Sequence, residues 1–103
     1  MAEVFTLLVE VGRKPEDGLP EGATGAALLC YASGVDEEEA VREAVAVLKV
    51  AGLAPLDVTG YGTLAEREAG GHEVPAEERG LMERARVENA VIVAEMTPFF
   101  EAG

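Results

Sequence analysis

The sequence predicts an α+β fold: a two-layer sandwich with one four-stranded, mostly antiparallel sheet and two helices on one face. Four segments rich in apolar and β-branched residues predict strands, and two segments with apolar residues at helical spacing predict helices, in the order β-β-α-β-α-β. Short connections favour helices that pack on the sheet that they join. The alternative is a ferredoxin-like sheet, in which the first two strands do not form the hairpin that we assign to them. A length of 103 residues predicts a single domain, 1–103.

The first two strands flank a long connection. Residues 3–11, "EVFTLLVEV", are apolar and β-branched, and Gly12 and Pro15 bound them. Residues 26–33, "AALLCYAS", are apolar throughout and predict the second strand. The connection 12–25 is rich in glycine and proline and is long for a hairpin loop. Loops of that length are often functional or mobile.

The first helix carries the strongest local signals in the chain. Asp36 is placed to cap its N-terminus, with Glu39 at the third helical position in capping-box spacing. Gly52 follows the last apolar position and is expected to end the helix. The apolar stripe consists of Ala40, Val41, Ala44, Val45, Leu48 and Ala51.

The remaining elements are a strand, a weaker helix and a last strand. The third strand is expected over 55–63, and the second helix from Pro75, at its first position, to about Glu88. The apolar residues of this helix are Leu81, Met82 and Ala85. The last strand is expected over 90–97, where Pro98 should end the hydrogen-bond ladder.

Charge and cysteine content limit the classes of partner and compartment. Twenty Asp and Glu residues against eight Lys and Arg residues give a net charge of −12, which would repel nucleic acid and anionic membrane surfaces. The simplest role of this charge is solubility, and a basic protein partner is the alternative. The lone Cys30 excludes an intramolecular disulfide. Together with an N-terminus that lacks a basic leader, it favours a cytoplasmic location.

The glycine spacing Gly60-x-Gly62-x-x-Ala65 resembles a dinucleotide-binding turn only superficially. That fingerprint needs a full helix after the glycines, within a βαβ unit. Here Gly70 and Gly71 would stop any such helix after about two turns. We therefore interpret these glycines as a bulge or a strand end, and we expect no cofactor.

No group of residues stands at a spacing that catalysis or metal binding requires. His72 is the only histidine and lies beside two glycines, which predicts an exposed loop. Cys30 is expected to be a buried small apolar residue, and Ser33 a turn residue. The acidic run 36–39 lacks the alternating ligands of a calcium loop. We therefore expect no catalytic residues and no metal site.

Strands that are apolar on both sides are the most informative feature for function. In the first strand, Leu7 and Val9 alternate with Leu8, so both sheet faces are apolar, although two helices on one face cover only that face. We expect a second copy, the 12–25 connection or a ligand to cover the other face. The residues assigned to this partner or ligand face are Leu8, Leu29, Tyr31, Tyr61, Met96, Phe99 and Phe100.

Three functional hypotheses follow. The first is a homo-oligomeric protein-interaction module, expected to be a dimer formed through the sheet. The second is a small-molecule binder or enzyme that uses the open sheet face and the 12–25 connection. The third is an acidic inhibitor or mimic that docks on a basic protein. Phe99 and Phe100 are expected to be buried, either on their own sheet or in a neighbouring subunit.

Overall fold

The computed structural model describes residues 3–101, which form one four-stranded antiparallel sheet with three helices. The strands are β1 (Glu3–Gly12), β2 (Ala23–Gly34), β3 (Ala54–Thr63) and β4 (Val91–Phe100). The helices are α1 (Glu37–Val50), α2 (Leu64–Ala69) and α3 (Ala76–Glu88). The predicted α+β class and single antiparallel sheet are confirmed, while α2 is an additional element.

The strand order in the sheet is β3-β1-β2-β4, so the first hairpin forms its centre. Leu8 of β1 faces Leu29 of β2 on one side and Thr59 of β3 on the other. β2 and β3 are both antiparallel to β1 and therefore run parallel to each other, and α1 connects them across β1. β3 and β4 are the two edges.

The main core lies between α1 and one face of the sheet. Alternate residues of β1 and β2 face α1. Two alanine side chains and one leucine side chain of α1 pack against them. The fully buried members of this core include Leu7, Val9, Val11, Cys30, Ala40, Ala44 and Leu48. We call this side of the sheet the α1 face.

The ends of α1 are formed by the residues that the sequence indicates. The Asp36 carboxylate accepts a hydrogen bond from the Glu39 backbone N–H at 2.8 Å. At the other end, Gly52 has a positive φ of 88°, and its N–H donates to the Lys49 carbonyl. The N–H of Leu53 donates to the Leu48 carbonyl, which completes a Schellman motif.

The helices do not share one face of the sheet, which corrects the expectation of two helices on one side. Met82 and Ala85 of α3 pack with Tyr31 and Val4, whose side chains point away from α1. We call this side the α3 face. The sequence does not reveal this placement, because both faces of the central strands are apolar and either face accepts a helix.

The last strand extends beyond its predicted end. Pro98 pairs with Ala26, and β4 continues to Phe100, opposite Ala23. Proline is tolerated here because β4 is an edge strand, where the missing N–H points away from the neighbour. The expectation that Pro98 ends the ladder is therefore wrong.

Candidate functional site

A cavity opens on the α3 face, where α2 and α3 leave part of the sheet uncovered. Its volume is about 280 Å³, and its lining residues are Thr6, Leu8, Leu29, Tyr61, Arg67 and His72. Leu8 and Leu29 are cross-strand neighbours and form its floor. The cavity thus combines an apolar floor with polar groups on its walls, as ligand sites do.

The short helix α2 positions Arg67 over the sheet. Thr63 and Glu66 form a capping box, in which each side chain bonds to the backbone N–H of the other residue. In the residue directly after Glu66, Arg67 Nη1 donates to Thr6 Oγ1 at 3.2 Å and lies 3.6 Å from Glu78 Oε1. The guanidinium is therefore held between the sheet and α3.

Tyr31 and Glu78 form a hydrogen-bonded pair that contacts this arginine. Tyr31 is fully buried, and its hydroxyl donates a hydrogen bond to Glu78 Oε1, the oxygen nearest Arg67. Burial first, and the bond to Glu78 second, raise the pKa of Tyr31 to about 12. Tyr31 therefore stays protonated at neutral pH and serves as a donor that orients Glu78.

The predicted partner or ligand face is only partly assembled as one surface. Leu8, Leu29 and Tyr61 line the cavity together. Tyr31 instead lies beneath α3. Met96 pairs with Leu28, a main-core residue, and therefore lies on the α1 face.

Phe99 and Phe100 point to opposite sides of the sheet. Pro98 pairs with Ala26 of the main core, so alternation places Phe100 on the α1 face and Phe99 on the α3 face. Both rings are exposed, Phe100 by 58%. The single chain does not bury them, and their burial by a neighbouring subunit stays a prediction.

The 12–25 connection does not cover the open part of the α3 face, which corrects that expectation. It is shorter than expected, because β2 begins at Ala23, and its Leu19 joins the main core on the α1 face.

The Asp17 carboxylate fixes the turn of this connection. It accepts hydrogen bonds from the backbone N–H groups of Lys14 and Leu19 and pairs with Arg13 at 3.0 Å. The backbone bonds first, and Arg13 further, hold the pKa of Asp17 below its usual range.

The other singled-out residues have structural roles. Cys30 is buried in the main core, and this burial raises its pKa to about 11. Its thiol is therefore no nucleophile at neutral pH. The pairing of β1 with β3 shifts register at Tyr61, between Gly60 and Gly62, so these glycines mark a bulge near the strand end, as expected.

No metal cluster or membrane-spanning helix is found in the described part of the chain. Among residues 3–101, no group of three or more His, Cys, Asp or Glu side chains is arranged to hold a metal ion. Within the same residues, no helix is long and apolar enough to cross a membrane.

Arg67 and Glu78 are the functional candidates that the sequence reasoning missed. The available signal was Thr63-x-x-Glu66, a capping-box pattern that predicts a short helix start. That pattern would have placed Arg67 on a helix directly after a strand of the sheet. No sequence signal pairs Arg67 with Thr6 or Glu78, because these residues are far apart in the chain.

Comparison with known proteins yields one family. The model of a family described as "Domain of unknown function (DUF8846)" matches residues 4–100, nearly the whole chain. No curated protein matches the chain. No solved structure matches it either.

Proposed function

The chain belongs to the DUF8846 family of domains of unknown function, and we propose that it is a protein-interaction module that forms a homodimer through β4. The observation that carries this proposal is the exposure of β4. None of its ten residues is buried in the single chain, although eight are apolar. The apolar residues are Val91, Ile92, Val93, Ala94, Met96, Pro98, Phe99 and Phe100. Apolar surface of this extent is typical of an interaction site.

The exposed residues form a stripe on the α1 face, which we call the β4 stripe. Val93, Met96 and Phe100 of β4 are exposed on this face, and Val47 of α1 lies beside Val91 at one end. Because Pro98 has no N–H to donate, the free edge offers an interrupted row of donors. Packing of the stripe therefore supplies most of the proposed contact.

The charge distribution supports a second copy as the occupant. Two chains of net charge −12 repel each other over most of their surfaces. β4 carries one charged residue, Glu95, which points to the α3 face opposite Leu29, away from the stripe. Two stripes can therefore meet along β4 with little like-charge contact, while Glu39 and Glu43 lie beside Val47 at the α1 end of the stripe. A two-fold axis closes such an assembly as a dimer.

The surface area of the chain agrees with this arrangement. The accessible surface is 6226 Å², whereas a compact monomer of this mass exposes about 5,500 Å². The chain therefore exposes about 700 Å² more surface than a compact monomer of this mass. Cys30, a free thiol, fits a reducing compartment, and we propose a cytoplasmic location for the dimer.

Light scattering of two matched variants tests the proposal. Met96→Glu places a charge in the stripe, and Leu56→Glu places the same charge on the opposite edge strand, where Leu56 is 69% exposed. We expect the unaltered chain and Leu56→Glu to be dimers and Met96→Glu to be monomeric at the same concentration, with unchanged circular dichroism. A monomeric unaltered chain, or equal masses for the two variants, would contradict the proposal.

A further inference from the structure

We infer that the cavity on the α3 face binds a small carboxylate that has a planar apolar body. The cavity is separate from the β4 stripe, because its lining comes from β1, β2, β3, α2 and the residue His72. A failure of the dimer proposal would therefore leave this inference standing, and the reverse also holds.

The absence of acidic lining residues is the first observation. The chain has 20 Asp and Glu residues, yet among the described residues no carboxylate lines this cavity. The neighbouring cavity between α2 and α3, in contrast, is lined by Glu3, Glu68 and Glu83. This cavity thus presents the Arg67 guanidinium, whose paired carboxylate, Glu78, is not among the lining residues.

The state of Arg67 is the second observation. Its side chain is 15% exposed and is fixed through Nη1 by Thr6 and Glu78. Among residues 3–101, Nε and Nη2 of Arg67 have no hydrogen-bond partner. Every fully buried side-chain nitrogen in the same residues does have a partner. Neither of these two nitrogens is therefore fully buried, and Arg67 is one of the residues that line the cavity. Two parallel N–H donors on a guanidinium match the two oxygens of a carboxylate.

The walls define the rest of the ligand. Leu8 and Leu29 offer a flat apolar floor, and the Tyr61 ring, which is half exposed, stands beside it. A volume of about 280 Å³ is at the lower limit for ligand sites, which favours a small molecule over a nucleotide or peptide. A planar ring fits between this floor and Tyr61, with its carboxylate directed to Arg67 and His72 at the rim.

Benzoate and benzamide are the matched probes for this inference. They have the same ring, but only benzoate carries the charge that Arg67 recognises. We expect benzoate to shift the amide signals of Thr6, Leu8 and Leu29 and the Arg67 Nε–H signal saturably in ¹⁵N NMR spectra. Benzamide should bind at least about tenfold more weakly, because it lacks the negative charge and the second carboxylate oxygen that pair with the guanidinium.

Variants at the cavity and away from it complete the test. Arg67→Met should reduce benzoate affinity about tenfold or more, whereas Arg84→Met, which removes an exposed charge on α3, should leave it unchanged. Tyr61→Ala should also weaken binding and does not depend on the Arg67 variant folding. Equal affinities for benzoate and benzamide, shifts outside the cavity, or no saturable shifts would each overturn the inference.

Discussion

The hydroxyl of Tyr31, in the centre of the sheet, donates a hydrogen bond to the carboxylate of Glu78 in α3. Through Glu78, this bond connects the sheet to Arg67 in α2. The three groups hold the two helices of the α3 face against β1 and β2. One buried phenol thus stabilises the fold and orients the cation of the proposed ligand cavity.

Replacing Tyr31 with phenylalanine should destabilise the protein by about 1 to 2 kcal/mol, the usual effect of losing a hydrogen bond to a partly buried charged group. Urea denaturation followed by circular dichroism measures the change. Tyr61→Phe is the control, because Tyr61 is half exposed, and it should change the free energy of unfolding by less than about 0.5 kcal/mol. Equal effects of the two substitutions would show that the bond to Glu78 contributes nothing.

Alkaline pH should destabilise the fold through Cys30 and Tyr31. Burial raises the pKa of Cys30 from 9.0 to about 11, and that of Tyr31 from 10.0 to about 12. Between the unfolded and folded values, the unfolded chain loses these protons while the folded chain keeps them. The free energy of unfolding should therefore fall as pH rises from about 9 to 12, by up to about 1.4 kcal/mol per pH unit and group.

Urea denaturation of single variants separates the two contributions to this pH dependence. Cys30→Ala should remove the fall that begins near pH 9, and Tyr31→Phe the fall that begins near pH 10. The free energy of unfolding at neutral pH will differ between the variants, so the comparison uses the slope of this free energy with pH. A slope that neither substitution changes would assign the alkaline effect to other groups.

Two glycines should respond in opposite directions to alanine. A Cβ at Gly34 would lie 2.7 Å from the Ala40 backbone nitrogen and 2.9 Å from the Asp36 carbonyl oxygen, where α1 begins. Gly34→Ala should therefore destabilise the protein by about 1 to 3 kcal/mol. Gly80 lies within α3 with open space around it, so Gly80→Ala should stabilise by about 0.5 to 1 kcal/mol. Thermal denaturation measures both, and a stabilising Gly34→Ala would refute the close approach of α1.

A chain that ends at Thr97 should be less stable and shifted toward monomer. It loses Pro98, Phe99 and Phe100, which pair with the first residues of β2 from Ala23 to Ala26. It also loses the exposed end of the β4 stripe, and association favours the folded state by mass action. Light scattering and a melting curve check both effects. An unchanged size and melting temperature would mean that the end of β4 contributes to neither.

Local signals explain which parts of this fold are predictable from the sequence. Asp36 and Gly52 fix the ends of α1 through short-range bonds, so that helix is expected nearly as observed. The face that α3 occupies depends on contacts of Met82 with residues distant in sequence. Because β1 is apolar on both sides, no sequence pattern selects that face.

The candidate site is less predictable than the fold for the same reason. The alternation of β1 and β2 correctly brings Leu8 and Leu29 together, and the bulge near Gly62 adds Tyr61. Arg67 enters only because the short α2 folds back over Thr6. From the sequence we expect Gly70 and Gly71 to stop any helix after Thr63 and assign none, although a helix of six residues forms there and ends at Gly70.

The surface through which two copies meet can be observed by NMR in an equal mixture of ¹³C-labelled and unlabelled chains. Isotope-filtered spectra record only contacts between a labelled chain and an unlabelled one. We expect intermolecular signals from the methyl groups of Val93, Met96 and Val47, which are exposed on the β4 stripe. The methyl groups of Leu56, on the opposite edge, should give none. Intermolecular signals from Leu56 with none from Met96, or no intermolecular signals at all, would contradict a homodimer formed through β4.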